Sequence, residues 1–123
     1  KGVNRHQLIN ELNAAVTPEQ LLAIQRAVEQ VHMSQAILDY VLTLIRSSRL
    51  SPWFISGLSP LAGLALQKCA RAWALLHGRD HVIPEDFQQV LPSVAAHCLQ
   101  IQPEHQDKNI DDLVIMLIQQ VPV

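Results

Sequence analysis

The sequence predicts an all-α fold, a bundle of about five to six helices around one hydrophobic core. Helix starts capped by serine, threonine or asparagine recur along the chain, followed by apolar residues three or four apart. No segment of useful length alternates apolar and polar residues as a half-buried strand does. The 123 residues are 49% hydrophobic and 16% charged, which indicates one folded domain with an apolar surface for a partner.

The first two helices are predicted before residue 33. Residues 5–12 are expected to form a short entry helix with apolar side chains on one side. Residues 17–20, Thr-Pro-Glu-Gln, then combine an N-cap hydroxyl, a proline in the first turn and a glutamine that closes a capping box. The helix that they start is expected to run to about His32 and to bury an apolar stripe of Leu21, Ile24, Val28 and Val31.

The third helix is predicted to be capped by Ser34 and to stop before Pro52. Arg46 and Arg49 lie near its C-terminal end, where positive charge suits the helix dipole. The side chains expected to face inward are Ile37, Leu38, Val41, Leu42 and Ile45.

A loop with two aromatic side chains follows at residues 51–57. Trp53 and Phe54 have two interpretations, which the sequence leaves open: they cover the end of the bundle, or they contact a partner. They are therefore candidate residues of a partner-contact loop.

The fourth helix is predicted to start with Ser59 as cap and Pro60 in its first turn, and to end at Gly78 in a left-handed conformation. A wide apolar arc marks it as the central helix, formed by Leu61, Ala65, Cys69, Ala72 and Leu76. Cys69 and the distant Cys98 form no C-x-x-C pair, so both are expected to be reduced core residues of a cytosolic protein.

The next segment is predicted to be an extended connector at residues 79–83 followed by a helix. That helix opens with Pro-Glu-Asp at residues 84–86, although Ile83 at the cap position has no side-chain acceptor. Pro92 is expected to kink or split it and to leave residues 94–99 as a second piece.

The last helix is predicted to follow a polar loop at residues 101–108. Asn109 caps it, and it ends before Pro122. Its buried face is predicted to hold Ile110, Leu113, Val114, Leu117, Ile118 and Val121.

Composition argues against nucleic-acid and membrane binding. The net charge is −2, and no stretch concentrates Lys and Arg into a basic stripe, which also disfavours a histone-fold-like DNA-binding protein. The longest apolar run, residues 113–118, is far below the roughly 20 residues that span a bilayer. We therefore expect a cytoplasmic protein with no membrane span and no nucleic-acid partner.

The chain carries no motif for catalysis. It has neither G-x-x-x-x-G-K-[ST] nor G-x-G-x-x-G, so it lacks a phosphate-cradling loop. His77 and His81 are four residues apart, but Gly78 breaks the helix that would align them, so no metal site is predicted. The acidic residues mostly occupy helix starts or exposed faces. We expect this chain to be catalytically inert by itself.

Two long segments carry a more specific pattern. Residues 57–66 run GLSPLAGLAL and residues 70–87 run ARAWALLHGRDHVIPEDF, with AAHCL at residues 95–99. This order closely resembles the lid of MoxR-type AAA+ ATPases, which runs G-x-S-P-R-A, then A-x-L-x-G-R-x-x-V-x-P-E-D-V, then an L-A-H-R-L-like stretch. The resemblance covers nearly the whole chain, since it also takes in residues 16–22, residues 39–42, Arg49 and residues 121–123.

The resemblance implies a role inside a larger machine. Residues 17–123 would be the helical lid, and residues 1–16 an entry segment from an ATPase core that holds ATP and Mg²⁺. The lid would close over that ATP and pack between ring subunits, in a chaperone-like remodelling or maturation machine whose core hydrolyses ATP. The implied partners are the core, the neighbouring subunits and a protein with a von Willebrand A domain.

One departure from the family pattern concerns nucleotide contact. In the family the arginine of S-P-R, called sensor 2, points toward the phosphates. Here Ser59 and Pro60 match, but Leu61 stands at the arginine position. These three residues are the candidate nucleotide-proximal site, and leucine cannot pair with phosphate. Either the parent hydrolyses ATP slowly or uses another cation, or the lid serves mainly for subunit packing.

A second function class remains open from sequence. A stand-alone helical adaptor that binds partner proteins would also explain the apolar composition and the Trp53-Phe54 loop. The two hypotheses differ in what lies upstream of residue 1, where the lid hypothesis requires a phosphate-binding loop and an acidic metal-binding strand. Because the chain does not begin with Met, we expect it to be a fragment.

Overall fold

The computed structural model describes residues 16–123, and over this range the fold is all-α. The predicted entry helix at residues 5–12 lies outside the described residues. Within them, five α-helices and one short 3₁₀ turn at Pro103–His105 follow each other along the chain. The helices are α1 (Pro18–Gln30), α2 (Gln35–Leu50), α3 (Pro60–Leu76), α4 (Pro84–Cys98) and α5 (Ile110–Gln120).

Most of the predicted helix starts are confirmed by side-chain caps. Thr17 accepts a hydrogen bond from Gln20 N at 3.1 Å, and the Gln20 side chain accepts one from Thr17 N at 2.9 Å, which closes the capping box. Each remaining predicted cap also accepts a bond from a backbone amide of the first turn, namely Ser34, Ser59 and Asn109. Short polar side chains therefore set these helix boundaries.

Helix α4 differs from the sequence expectation in one respect. Pro92 lies inside a continuous helix, so the predicted split before residues 94–99 is wrong. Proline removes only one amide donor, and the buried side chains of Leu91, Val94 and Ala95 hold the turns around it. At its start Ile83 offers no side-chain acceptor, and the Asp86 carboxylate instead accepts from Ile83 N at 2.8 Å.

The core lies between α3 and its neighbours, because α3 contacts α1, α2 and α4, and α4 contacts α5. The predicted central position of α3 is confirmed, but the predicted inward arc is wrong. The residues that it buries are Ala62, Gly63, Leu66, Ala70 and Ala74, whereas Leu61, Ala65, Cys69 and Leu76 are exposed. Apart from Leu66, the inner face is lined by small side chains, which let neighbouring helices approach closely.

Two further burial predictions fail. Helix α1 buries none of its side chains fully, and Leu21 and Ile24 of its apolar stripe are exposed; only Val31, just past the helix, is buried. In α2 the predicted Leu42 is exposed, while Tyr40 and Leu44 are buried instead. A stripe predicts which residues share a face, but the neighbours decide whether that face is covered.

The last helix matches its prediction. Leu113, Val114 and Leu117 are fully buried in α5, and the other residues of its pattern are buried or half-buried. The two cysteines, however, are free and exposed, so the prediction that Cys69 and Cys98 are core residues is wrong. None of the helices between Pro18 and Gln120 is long and apolar enough to cross a membrane.

Candidate functional site

The candidate nucleotide-proximal residues form the exposed start of α3. Ser59 caps the helix, with its Oγ accepting from Ala62 N at 3.1 Å and its carbonyl accepting from Gly63 N at 2.9 Å. Pro60 occupies the first turn, where its missing amide costs no hydrogen bond. The Leu61 side chain is 76% exposed, so it contributes little to the core and points away from it.

The segment before α3 is bound tightly to the C-terminal end of α2. The buried Ser48 Oγ accepts from Leu58 N at 2.9 Å and donates to Ile45 O at 2.6 Å. Arg49 Nε donates to Leu58 O at 2.8 Å. Both backbone groups of Leu58 are therefore satisfied by α2, and the Leu58 side chain is fully buried. These contacts fix where α3 begins.

Gly57 allows this close approach. Its φ is +71°, a left-handed conformation that residues with a side chain rarely adopt. A Cβ at this position would lie 2.5 Å from both N and Cα of Arg49, that is, inside the backbone of α2. The chain can pass α2 at this distance only because the residue is glycine.

The two loop aromatics are buried under the same end of the bundle. Trp53 is 8% and Phe54 2% exposed, and their rings meet edge to face at a centroid distance of 6.3 Å. The loop pairs with the chain after α4, through Ile55 N to Gln100 O at 2.9 Å and Gln102 N to Trp53 O at 2.7 Å. Trp53 and Phe54 thus cover the bundle, and their predicted contact with a partner stays a prediction.

An apolar surface extends from Leu61 along the outside of α3. Leu64 is 57% and Leu76 80% exposed, and Ala65 and Cys69 are exposed on the same helix. Helix α1 adds Leu21, Leu22 and Ile24, all exposed. Between the two helices lies an open groove of about 390 Å³, lined by Ile24, Gln25, Val28, Glu29, Lys68, Cys69, Arg71 and Ala72. We call the exposed apolar side chains named here the outer apolar surface. They are Leu21, Leu22 and Ile24 of α1 and Leu61, Leu64, Ala65, Cys69 and Leu76 of α3.

The C-terminal end of α3 is held by backbone hydrogen bonds and by an ion pair. Gly78 has φ +74°, and its amide and that of Arg79 return to the carbonyls of Leu75 and Ala74, as in a Schellman motif. Arg79 then forms a bidentate ion pair with Asp86, whose carboxylate is buried, at 2.6 Å between Nη2 and Oδ1.

The connector after α3 contains a close contact between a carboxylate and a histidine ring. Asp80 is fully exposed, and a hydrogen bond with the ring of His81, at 3.0 Å between Nδ1 and Oδ1, lowers the pKa of Asp80. His32 pairs with the same connector through its backbone, since His32 N donates to Asp80 O and Val82 N donates to His32 O. This pairing ties the turn between α1 and α2 to the connector.

The described residues form no metal-binding cluster at the start of α3. From Val16 to Val123 no group of three or more His, Cys, Asp or Glu residues could hold a metal ion. What the site offers is an exposed leucine, a serine engaged as a cap and the guanidinium of Arg49. These suit contact with another surface better than a reaction.

Comparison with known proteins identifies this arrangement. A family model described as the AAA lid domain matches residues 46–115, more than half of the 123 residues. This chain belongs to the AAA lid domain family. The match begins in α2 and includes all of α3 and α4, so it contains the anchored start of α3.

Relatives place this AAA lid domain in the MoxR type and confirm the resemblance. The Bacillus subtilis protein YeaC is 35% identical over 96 residues, 78% of this chain and 30% of that protein. Chaperone MoxR1 of Mycobacterium tuberculosis is 34% identical over 64% of this chain and 23% of its own length. Protein MoxR of Methylorubrum extorquens is 35% identical over 54% of this chain and 20% of its own length.

A solved structure supports the fold. The crystal structure of a proposed ATPase from Cytophaga hutchinsonii superposes with a TM-score of 0.81 at 19% identity, covering 99% of this chain and 44% of that one. The AAA lid domain described here therefore spans less than half of that structure and at most 30% of the three relatives.

Sequence reasoning missed the contact between Arg49 and Leu58. Arg49 was assigned to the helix dipole and to the family pattern, but its contact was not predicted, because nothing in the spacing shows that the chain turns back across the end of α2. The available signal was Gly57, which lies in the motif G-x-S-P and whose left-handed conformation permits that turn.

Proposed function

We propose that this AAA lid domain closes over ATP bound to an ATPase core and packs between subunits of a ring, within a chaperone-like remodelling machine. The observation that carries the proposal is the outer apolar surface, which begins at the family's sensor 2 position. A lid needs two faces, one for its own core and one for the body that it closes on. Helix α3 has both, with mostly small residues and Leu66 inside and Leu61, Leu64 and Leu76 outside.

The apolar character of the outer surface favours docking on protein over direct contact with a charged ligand. Leu61 and Leu64 sit one turn apart on α3 and expose large aliphatic side chains to solvent. Burying such a side chain stabilises the buried state by about 1.5–3 kcal/mol relative to the exposed state. In an open lid these side chains remain exposed. The same two residues would supply a driving force for closure.

ATP and Mg²⁺ belong to the proposed core and not to this chain. A triphosphate requires cations or several N–H donors, and Leu61 supplies none. Ser59 Oγ already serves the first turn of α3 as acceptor. The lid would therefore cover the nucleotide, while the chemistry of hydrolysis is supplied by the core and its bound ion.

Replacing outer leucines by glutamate tests the proposal in the full-length protein that carries this lid. We expect Leu64→Glu to lower ATP turnover and ATP-dependent ring assembly, measured by phosphate release and by sedimentation. The Tm should stay unchanged, because exposed substitutions shift stability by about 0.5 kcal/mol or less. Ile115→Glu on α5, an exposed apolar residue outside the outer surface, is the matched control. Wild-type turnover and assembly in Leu64→Glu would overturn the proposal.

The adaptor hypothesis has less support. It was motivated by the apolar composition and by the Trp53-Phe54 loop; both of those side chains are buried, although the outer apolar surface would also suit an adaptor. The MoxR resemblance also implies a partner with a von Willebrand A domain. Co-purification of such a protein with the full-length chain tests that part of the proposal separately, because closure over ATP does not depend on it.

A further inference from the structure

We propose that α1 is a hinged cover over the outer face of α3 and that it controls how much of the outer apolar surface is accessible. The helix is fixed at its C-terminal end and moves at its N-terminal end. The hinge is inferred from the described residues alone, whereas its effect on docking rests on the proposed function, in which this surface contacts the rest of the ring. The inference begins with burial, because α1 is the one α-helix between Pro18 and Gln120 that buries no side chain fully.

Helix α1 packs on a single neighbour. Among the described helices it contacts α3 and no other. Its best-covered side chains, Ala27 and Val28, are only half-buried, and no hydrogen bond or ion pair joins α1 to α3. Elements with few buried apolar contacts separate from the rest of a fold at a low cost in free energy.

Open space lies beside this contact. The groove of about 390 Å³ separates Ile24 and Val28 of α1 from Cys69 and Ala72 of α3. A second open gap, of about 480 Å³, lies near the C-terminal end of α1 and is bordered by Leu75. Helix α1 therefore has room to move on α3 without displacing the core of the bundle.

The C-terminal end of α1 is fixed. Val31, directly after the helix, is buried, and its carbonyl accepts a hydrogen bond from Arg71 Nε at 3.2 Å. The amide of His32 donates to Asp80 O at 2.8 Å, and the carbonyl of His32 accepts from Val82 N at 2.9 Å. At the other end, the capping box bonds only within the first turn of α1. Hinges are formed by a few residues at the ends of elements, so Val31 and His32 are the pivot.

Movement of α1 changes the apolar arc of α3. Leu61 and Cys69 are exposed, whereas Ala72 in the same arc is half-buried beside α1. In its inward position α1 closes the groove and covers Cys69 and Ala72. In its outward position the arc is uncovered as an apolar strip from Leu61 to Leu76, which gives a docking surface more apolar area to bury.

Spin-label distances in the full-length protein test the hinge. One label is placed at Glu19→Cys, in the first turn of α1, and the other at Gln119→Cys on α5, both exposed positions. The remaining cysteines are replaced by serine, and unlabelled subunits dilute the sample so that only distances within one chain are measured. Helix α1 is about 20 Å long, so a rotation of about 15° at the pivot moves its N-terminal end by about 5 Å. We expect two separated distances, or one distribution at least this broad.

Gln30→Cys paired with Gln119→Cys is the matched control. Gln30 is also exposed and lies on the same helix, but it is adjacent to the pivot. Its distance distribution should therefore stay narrow. A single narrow distance from both pairs overturns the hinge. Equal broadening in both pairs also overturns it, because the movement would then not be centred on Val31 and His32.

A cross-link tests the control of access. With Cys98 and any cysteine outside this chain replaced by serine, a short bismaleimide links Ile24→Cys to the native Cys69 across the groove and holds α1 inward. We expect ATP-dependent assembly and phosphate release to fall about 3-fold or more, because the state that docks is removed from the population. The same treatment of Ile24→Cys/Cys69→Ser attaches the reagent to α1 alone and should leave both at the level of the untreated variant.

The outcomes separate this inference from the proposed function. Unchanged or higher assembly after cross-linking overturns the role of α1 as a cover, and so does a failure of the two thiols to link, while the lid proposal stands in both cases. If the wild-type protein neither assembles with ATP nor releases phosphate, the proposed function fails, and the spin-label distances still decide whether α1 is hinged.

Discussion

The two junctions that bound α3 both use a glycine with a left-handed backbone, but they are held by different forces. At the N-terminal junction, Gly57 packs against the backbone of α2, and neutral Ser48 and the Arg49 side chain bind Leu58. At the C-terminal junction, Gly78 faces open space and the closing contact is the Arg79–Asp86 ion pair. The junction that carries the sensor 2 position is thus the one fixed by close packing.

The largest predicted loss of stability is at Gly57, and the same substitution at Gly78 is its comparison. Gly57→Ala should destabilise the domain by about 3 kcal/mol or more, because a left-handed alanine costs about 1–2 kcal/mol and its Cβ would also overlap α2. Gly78→Ala has nearly the same φ and nothing within 4 Å, so only the conformational cost of about 1–2 kcal/mol applies. Urea unfolding of both variants measures the difference. Equal losses would show that packing at Gly57 is unimportant.

The next effect concerns the charged junction. Arg79→Met leaves the buried Asp86 carboxylate without its ionic partner, and only the amide of Ile83 still binds it. Breaking a fully buried pair costs about 3–5 kcal/mol; because Arg79 is partly exposed, we expect about 2 kcal/mol. The double variant Arg79→Met/Asp86→Leu should recover part of this loss, as measured by chemical denaturation. No recovery would mean that Arg79 contributes through something other than the ion pair.

A smaller effect is expected from the Ser48–Leu58 contact at the junction before α3. Ser48→Ala leaves Leu58 N buried without an acceptor, which costs about 1–3 kcal/mol. Ser47→Ala, on the neighbouring and half-exposed residue, should change stability by less than about 0.5 kcal/mol. Thermal unfolding of the pair would test the contact, and a loss of similar size in both would assign it to helix propensity instead.

The helix boundaries could be predicted because they are local. Thr17, Ser34, Ser59 and Asn109 cap their helices through amides two or three residues away, so the sequence contains both partners of each bond. The burial of α3 could not be predicted in the same way. Alanine and leucine both count as apolar, and only the neighbours decide that Ala70 faces the core while Leu64 faces solvent.

The candidate site was predictable to a similar extent. Ser59, Pro60 and Leu61 form the start of α3 as the family pattern implies, and α3 is central. The Arg49–Leu58 contact depends on a chain reversal at Gly57, and the spacing of apolar residues carries no signal for it. Similarly, the exposure of Cys69 and Cys98 follows from which faces of α3 and α4 are covered.

The smallest expected effect lies in the connector that follows Gly78. Asp80 is fully exposed, and its hydrogen bond with His81 lowers the pKa of its carboxyl. A lowered pKa in the folded state means that any stabilisation is present above the ordinary pKa of aspartate and is lost as the pH falls through the folded-state pKa. Because solvent screens this contact, we expect Asp80→Asn to leave the Tm unchanged at pH 7 and at pH 3. A clear drop confined to pH 7 would show that the connector, like the adjacent Arg79–Asp86 pair, is held by charge.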